Sequence, residues 1–203
     1  MIINSYKDLI TDINKISKTK SKINVMLTGG KSIKSFYKFL LKNIDEKFWK
    51  QSNFHLTDER LFELNKNTNY FMIKKILFKN INHKNINFRK FFDKKKSIEA
   101  NLIYFNKRLK KMDIIFLSYA KDGHIASLFP NLNPKITKKN VCYVVNHKNK
   151  FQHRISVTKS FISRSKNKYL FFVGKEKRQI YKKLKNKKFR NNNFFRNFNF
   201  VLV

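Results

Sequence analysis

Ile114-Ile115-Phe116-Leu117 leads through four residues into Asp122-Gly123-His124-Ile125-Ala126-Ser127-Leu128-Phe129-Pro130. The apolar run is typical of a buried strand in an α/β protein. An acid and an imidazole, separated by one glycine, follow where that strand should end, so both side chains can face a crevice at the carboxyl edge of the sheet. This arrangement is suited to hydrolytic chemistry.

Outward from this stretch, short β-rich runs alternate with longer segments of helical periodicity. This pattern predicts an α/β fold: a modified Rossmann-like, mostly parallel sheet flanked by helices, in a single domain. Residues 182–197, rich in Lys, Arg and Asn, are expected to form a solvated or partly disordered connection. The predicted strands cover residues 23–28, 54–57, 113–119, 141–145, 155–158, 169–173 and 198–203, and the predicted helices cover residues 32–41, 69–78 and 176–184.

The size of the chain supports one domain spanning residues 1–203. It is 41% hydrophobic and contains 22 Phe, enough to bury a substantial core. No apolar stretch approaches the ~18 to 20 residues of a membrane span, and the first seven residues lack the apolar core of a signal peptide. We therefore expect a soluble, cytoplasmic protein. Cys142, inside an apolar run, is expected to be a buried thiol, and no Cys/His spacing indicates a metal site.

The net charge of +35 would ordinarily suggest a nucleic-acid-binding protein. The lysines, however, are scattered through almost every segment rather than gathered into one stripe. They occur with abundant Asn, Ile and Phe, all of which have A/T-rich codons, so mutational bias explains the charge better than selected RNA or DNA binding. We expect only weak, salt-sensitive adhesion to polyanions.

Two segments predicted to lie in loops after strands have the chemistry of an anion site. In the first, Gly29 and Gly30 allow a ligand to approach the backbone, and Lys31 and Ser32 precede a helix start whose amides favour an anion. Gly-Gly is also ordinary turn chemistry, and the two interpretations weigh about equally. In the second, 58–60, neighbouring carboxylates at Asp58 and Glu59 could hold Arg60 so that it clamps a phosphate or lactone oxygen. Solvated surface is the alternative.

His124 is the one histidine of five that stands beside a carboxylate at a predicted strand end. Imidazole exchanges protons readily near neutral pH, as a general base must. Taken alone, a histidine that completes a loop hydrogen bond would be the commoner explanation. Ser127 lacks the Gly-x-Ser-x-Gly setting of a nucleophile and is expected to be a structural hydroxyl that caps the turn. Arg154 and Lys177, at later strand boundaries, could complete an anion pocket, although any one cation in so basic a chain is more often surface.

Taken together and in this order, the segments resemble the glucosamine-6-phosphate isomerase/6-phosphogluconolactonase family. The family's Asp-Gly-His-Thr-Ala-Ser-Leu-Phe-Pro is matched at residues 122–130, with Ile in place of Thr. Its Asp-Glu-Arg is matched at 58–60, and its Ser-Asn-Tyr at 68–70, where a helix is expected to start. Its Arg-Ile/Val-Thr-Leu-Thr strand resembles 154–158, and its Gly-x-x-Lys resembles 174–177.

The resemblance spans residues 22–184 and favours the lactonase branch of the family. Deaminases of the family usually carry Asp-Glu-Tyr in the second segment and Phe-Asn-Glu-Pro after the histidine, whereas this chain has Arg60 and Ser-Leu-Phe-Pro at 127–130. The chain departs from the family at 28–33, which reads Thr-Gly-Gly-Lys-Ser-Ile instead of Ser-Gly-Gly-Ser-Thr-Pro. It also carries side chains at 118–121 in place of two glycines, which predicts a narrower pocket or a shifted backbone. Both ends of the domain are expected to be trimmed.

The resemblance implies hydrolysis of 6-phosphoglucono-δ-lactone in the oxidative pentose phosphate pathway, with no metal or organic cofactor. His124 would be the general base toward water, and Asp122 would orient the site. The implied substrate- and phosphate-binding residues are Gly29, Gly30, Lys31, Ser32, Asp58, Arg60, Arg154 and Lys177.

The expected partner is a small sugar-phosphate lactone, with no membrane and only non-specific contact with nucleic acid, and the chain is expected to be a monomer or homodimer. Two alternatives stay open: deamination of glucosamine 6-phosphate, and a degenerated family member that acts as a basic binding protein.

Overall fold

Seven strands form the main sheet of this protein, and each hydrogen-bonded pair of neighbours runs parallel. The computed structural model describes residues 1–79, 81, 86–185, 189 and 192–203. In chain order, the strands of the main sheet and of a second, smaller sheet are β1 Ile2–Ile3, β2 Ile23–Leu27, β3 Ser52–Leu56, β4 Asp58–Arg60, β5 Asn87–Phe88, β6 Ile114–Ser118, β7 Ile136–Thr137, β8 Val141–Val145, β9 His153–Val157, β10 Asn167–Phe172 and β11 Phe198–Leu202. The order in the main sheet is β1-β11-β10-β6-β2-β3-β5.

Helices connect the parallel strands, as the alternating pattern predicts. They are α1 Tyr6–Lys18, α2 Lys34–Asn43, α3 Glu46–Gln51, α4 Asn69–Ile73, α5 Ile98–Arg108, α6 Lys159–Arg164 and α7 Lys175–Leu184. A 3₁₀ turn at Asn65–Asn67 precedes α4, and a π-helical segment at Lys74–Phe78 continues it. The α/β class and the mostly parallel sheet predicted from the sequence are therefore confirmed.

Two predicted strands, 141–145 and 155–158, lie in a second sheet of order β4-β9-β8-β7, whose pairs run antiparallel. Residues 146–152 between β8 and β9 are too few for the crossover of a dozen or more residues that a parallel pair requires. Residues 58–60, expected to lie in a loop, instead form β4 and pair with β9. The prediction of a loop there was wrong, because a strand of three charged residues has no apolar pattern from which it could be recognised.

The core between helices and sheet is rich in aromatic side chains. Phe116, fully buried in β6, has its ring centre 5.1 Å from that of Phe36 on α2 and 5.7 Å from that of Tyr169 on β10. Cys142 is buried in β8, as predicted, and burial raises the pKa of its thiol to about 12.

The predicted solvated connection at 182–197 lies partly outside the described residues. Where it is described, Phe189 and Phe195 are buried against each other, with ring centres 5.0 Å apart. That part of the prediction was wrong, because both phenylalanines belong to the hydrophobic core and Phe189 packs against Phe172 of β10. Within the described ranges, none of the helices is long and apolar enough to cross a membrane.

We predict that Phe116→Ala lowers the free energy of unfolding by about 3–5 kcal/mol, because it empties a fully packed site between a helix and the central strands. Phe62→Ala is the matched control, since the Phe62 side chain is 62% exposed, and should change stability by about 1 kcal/mol or less. Urea unfolding measures both variants. Equal losses in the two variants would contradict the packing described for β6.

Candidate active site

A cavity of about 320 Å³ opens at the carboxyl ends of the main sheet. This edge is where ligands bind in open α/β sheets. Nine of the ten residues predicted for the site line the cavity, and the tenth, Asp122, contacts one of the nine. The nine are Gly29, Gly30, Lys31, Ser32, Asp58, Arg60, His124, Arg154 and Lys177.

The loop after β2 brings bare backbone to the cavity. Gly30 has φ +103°, a left-handed conformation that favours glycine. Gly29 has a different requirement, because a Cβ atom there would lie 2.0 Å from Asn69 Oδ1. Asn69 begins α4 directly after the capping residue Thr68, which confirms the helix start expected there. The side-chain nitrogen of Asn69 donates to the Asp58 carbonyl (3.0 Å), so the loop after β2 packs against both β4 and α4.

Asp58 is a buried carboxylate shared by three parts of the chain. Its Oδ1 accepts from Thr57 Oγ1 at 2.9 Å, and its Oδ2 accepts from Ser127 Oγ at 2.7 Å. Arg154 Nη1 lies 4.0 Å from the same Oδ2. Ser127 is fully buried, and its backbone N–H donates to Ser156 Oγ (3.2 Å). The prediction that the Ser127 hydroxyl caps its turn was wrong, because this buried hydroxyl donates to Asp58 instead.

Two arginines line the cavity, and each is held by different hydrogen-bond partners. Arg154, buried in β9, donates from Nε to the Phe151 carbonyl (3.0 Å) and from Nη2 to Asn149 Oδ1 (3.0 Å). Arg60 donates from Nη1 to the Asn67 carbonyl (2.7 Å), and its guanidinium lies 4.2 Å from the ring centre of Phe151. The Nε of Arg60 is buried without a hydrogen-bond partner among the described residues. Both guanidinium groups are thus held by neighbouring acceptors while their residues line the cavity.

The expectation that Asp58 and Glu59 hold the Arg60 guanidinium was wrong. Glu59 turns toward the start of α4, where Oε1 accepts from the backbone N–H of Asn69 (2.7 Å) and Oε2 from that of Tyr70 (2.8 Å). The backbone N–H of Arg60 also donates to Oε1 (2.8 Å). Burial raises the pKa of Glu59 to about 7. The three N–H groups oppose this rise, because they favour the charged form of the carboxylate. Glu59 thus orders the backbone that carries Arg60.

The imidazole of His124 is held by Asp122. His124 Nδ1 lies 2.6 Å from Asp122 Oδ1, which also accepts the backbone N–H of His124 at 3.3 Å. Because an ionised carboxylate only accepts hydrogen bonds, this contact keeps a proton on Nδ1 and leaves Nε2 able to accept one. The His124 side chain is 22% exposed and packs with its ring centre 4.6 Å from that of Phe129, whereas Asp122 is 57% exposed. The ring is therefore fixed beside the cavity by one polar and one apolar contact.

Lys177, near the start of α7, supplies a third cation. Its Nζ donates to Ser32 Oγ (3.2 Å) and to Ser118 Oγ (3.3 Å), and the two hydroxyls lie 3.0 Å apart. Burial, together with the nearby charge of Lys121, lowers the pKa of Lys177. Lys31 is exposed at the rim. With Lys121, the structure thus gathers cations from five separate segments of the chain around one space.

Several residues lining the cavity were not among the predicted site residues, chiefly Asn69 and Ser118. The signal for Ser118 was its position in the segment that departs from the family pattern, at 118–121. Ala120 and Lys121 of the same segment also line the cavity. Residues that stand where the family usually has glycine can therefore mark the lining of the site.

A sequence model described as glucosamine-6-phosphate isomerases/6-phosphogluconolactonase matches residues 1–193. The chain belongs to this family. Its resemblance to the family, stated from the motifs, is therefore confirmed. Among relatives within the family, a 6-phosphogluconolactonase of Borreliella burgdorferi is 33% identical over 186 residues, which cover 86% of this chain and 78% of that protein. A probable 6-phosphogluconolactonase of Dictyostelium discoideum is 29% identical, over 86% of this chain and 77% of its own.

A solved structure from the same family agrees in fold. The crystal structure of 6-phosphogluconolactonase from Thermotoga maritima superposes with a TM-score of 0.79 at 20% identity, over 100% of this chain and 97% of that one. At this level of identity the agreement concerns the fold alone.

We predict that Ser127→Ala lowers the free energy of unfolding by about 1–3 kcal/mol, because it removes a donor from the buried Asp58 carboxylate. Ser160→Ala is the control, since the one bond its hydroxyl makes among the described residues is to the exposed Arg164 side chain, and it should change stability by about 0.5 kcal/mol or less. Urea unfolding measures the difference. A Ser127→Ala variant as stable as the control would contradict the role given to this hydroxyl.

Proposed function

We propose that this chain hydrolyses 6-phospho-D-glucono-1,5-lactone to 6-phospho-D-gluconate, a step of the oxidative pentose phosphate pathway. The names of its relatives support the reaction. The observation that carries the proposal is the imidazole of His124, oriented by Asp122, in a cavity that Arg60, Arg154 and Lys177 also line. A positioned base can activate water, and cations can hold the phosphate and stabilise the developing oxyanion.

In the proposed mechanism, His124 Nε2 takes a proton from water while the water oxygen bonds to the lactone carbonyl carbon. The carbonyl oxygen becomes an oxyanion, which cations and backbone N–H groups of the cavity stabilise. The bond between the carbonyl carbon and the ring oxygen then breaks, and the ring oxygen receives the proton held by His124. Asp122 keeps the Nδ1 proton in place and stabilises the positive charge that the imidazole carries between the two transfers.

The phosphate would be held at the other end of the cavity. Gly29 and Gly30 allow close approach of the backbone, and Lys31, Ser32 and Lys177 bring charge and hydroxyl donors to the same loop. Arg60 and Arg154 each bring a guanidinium group to the lining of the cavity. The binding free energy of the phosphate would position the lactone for attack. Asp58 acts through Ser127 and Arg154 rather than on the substrate, because its carboxylate oxygens are already engaged.

We further propose that the chain acts in the cytoplasm as a single domain, either as a monomer or as a homodimer. Its substrate is a small diffusing molecule, and contact with nucleic acid would be limited to salt-sensitive adhesion through its +35 charge.

His124→Asn should reduce kcat for the lactone by about 10² to 10⁴-fold, the usual contribution of a general base. The assay follows acid release and subtracts spontaneous hydrolysis of the lactone. His147→Asn, at an exposed position in a loop, is the matched control and should keep full activity. Near-normal turnover by His124→Asn would overturn the proposed base, and ammonia release from glucosamine 6-phosphate without lactone hydrolysis would assign the sister reaction instead.

Arg60→Ala should raise KM by about 10- to 100-fold while kcat changes less, because it removes a charge-assisted hydrogen bond to the phosphate. Steady-state kinetics on the phosphorylated lactone measure this ratio. Arg164→Ala, which removes an exposed arginine of α6, is the control. A KM unchanged by Arg60→Ala would exclude Arg60 from the phosphate site.

A further inference from the structure

A second cavity, of about 260 Å³, lies between α5 and strands β2, β3 and β5. Its polar floor begins at Asn24, near the start of β2, whereas the candidate active site begins at Thr28, beyond the end of that strand. At about 3.3 Å per residue, the two positions are roughly 13 Å apart along the strand. The second cavity is therefore a separate space, comparable in size to the first.

The floor of this cavity is a row of amides across three parallel strands. Asn24 is in register with Asn53, and Asn53 with Asn87, so all three lie on one face of the sheet. His55, two residues after Asn53, lies on that same face. Parallel sheets usually cover both faces with apolar side chains. Four polar side chains on one face of a parallel sheet are therefore unusual.

Among the described residues, the amide row leaves a donor free at Asn24. Asn87 Nδ2 donates to Asn53 Oδ1 (2.8 Å), and Asn53 Nδ2 donates to Asn24 Oδ1 (3.5 Å). Arg89 Nε donates to Asn87 Oδ1 (3.0 Å). Each side-chain carbonyl of the row therefore already has a donor, whereas Asn24 Nδ2 has no hydrogen-bond partner in the part of the chain that the structure describes. A ligand that brings acceptors can therefore bind the free N–H groups of Asn24.

His55 adds an imidazole ring to the lining of the cavity. Its partly buried ring makes no hydrogen bond with any described residue and lines the cavity. Burial, with the charge of Arg89, lowers the pKa of His55 to about 4, so the ring is neutral at physiological pH and offers one N–H donor and one acceptor.

The rim carries four exposed cations, Arg89, Lys90, Arg108 and Lys110, and the lining contains no carboxylate. Across the described residues, none of these four cations forms an ion pair. Two of them face aromatic rings instead: Arg108 lies 5.1 Å from the ring centre of Tyr104, and Lys90 lies 5.7 Å from that of Tyr70. The rim therefore holds positive charge that no acid of the described chain neutralises.

We propose that this cavity binds a small phosphate ester, with the phosphate over the asparagine row and beneath Arg89 and Arg108. A phosphate brings several acceptor oxygens to a place where amide, imidazole and guanidinium groups supply donors, and arginine matches its geometry. The concave shape and limited volume favour a small molecule over a polymer. Sugar phosphates and nucleotides share this chemistry, and the organic part decides between them.

The test uses inorganic phosphate, ribose 5-phosphate and AMP as probes in isothermal titration of the whole chain. The double variant Arg89→Gln/Arg108→Gln should weaken binding of ribose 5-phosphate or AMP by about tenfold or more, because two charge-assisted hydrogen bonds to the phosphate are lost. Lys95→Gln/Lys107→Gln is the matched control. It removes the same charge from exposed neighbouring positions that do not line the cavity, and should change the affinity by about twofold or less.

A further variant, Lys177→Gln, separates the two cavities, because it alters the candidate active site alone and should leave binding at the second cavity intact. Tighter binding of AMP than of ribose 5-phosphate would support a nucleotide, and equal binding would support recognition of the phosphate itself.

Three results would overturn the proposal: no binding of any probe at about 10 mM, equal losses in the double variant and its control, or a loss caused by Lys177→Gln alone. An RNA oligomer that binds through Arg89 and Arg108 while the small probes do not would also overturn it, and would assign the surface to nucleic acid.

Discussion

The candidate active site depends on one buried carboxylate, that of Asp58. It binds the hydroxyls of Thr57 and Ser127 and lies beside the guanidinium of Arg154. These partners come from the end of the main sheet, from the loop after β6 and from the antiparallel sheet, so a single side chain joins three parts of the fold. A buried charge is stable only when its oxygens are bound. The requirement to satisfy Asp58 therefore fixes where the two sheets meet, and the cavity lies at that junction.

The chain has few acidic residues, and each of three buried carboxylates makes a different structural contact. The chain has 12 Asp and Glu against 47 Lys and Arg. Asp58 joins the sheets, Glu59 binds the backbone at the start of α4, and Asp113 accepts from Lys20 and from the backbone N–H of Asn24. These carboxylates are buried, whereas much of the excess positive charge lies at exposed lysines. The buried acids thus serve the interior, whereas most of the excess positive charge lies on the surface.

The sequence predicted the parallel strands well, because apolar runs such as that of β6 are buried on both faces and leave a strong signal. It also predicted which segments would gather at the sheet edge, since strand ends of a parallel sheet share one side. It did not predict the second sheet, because β4 is only three residues long and is made of Asp58, Glu59 and Arg60. Nor did it predict the partners of Glu59, which are backbone N–H groups that no residue type reveals. The roles of the individual site residues and the trimmed ends of the domain stay predictions.

The close fit between Gly29 and Asn69 has a consequence for how this protein can change. The space that a side chain at position 29 would need is filled by the Asn69 amide, which in turn holds the carbonyl of Asp58. Neither position is free to vary alone: a larger residue at 29 first requires a smaller one at 69, and that replacement releases a carbonyl that has to find another donor. Redesign of this pocket is therefore a matter of compensated pairs, and libraries that randomise one position at a time would miss the viable combinations.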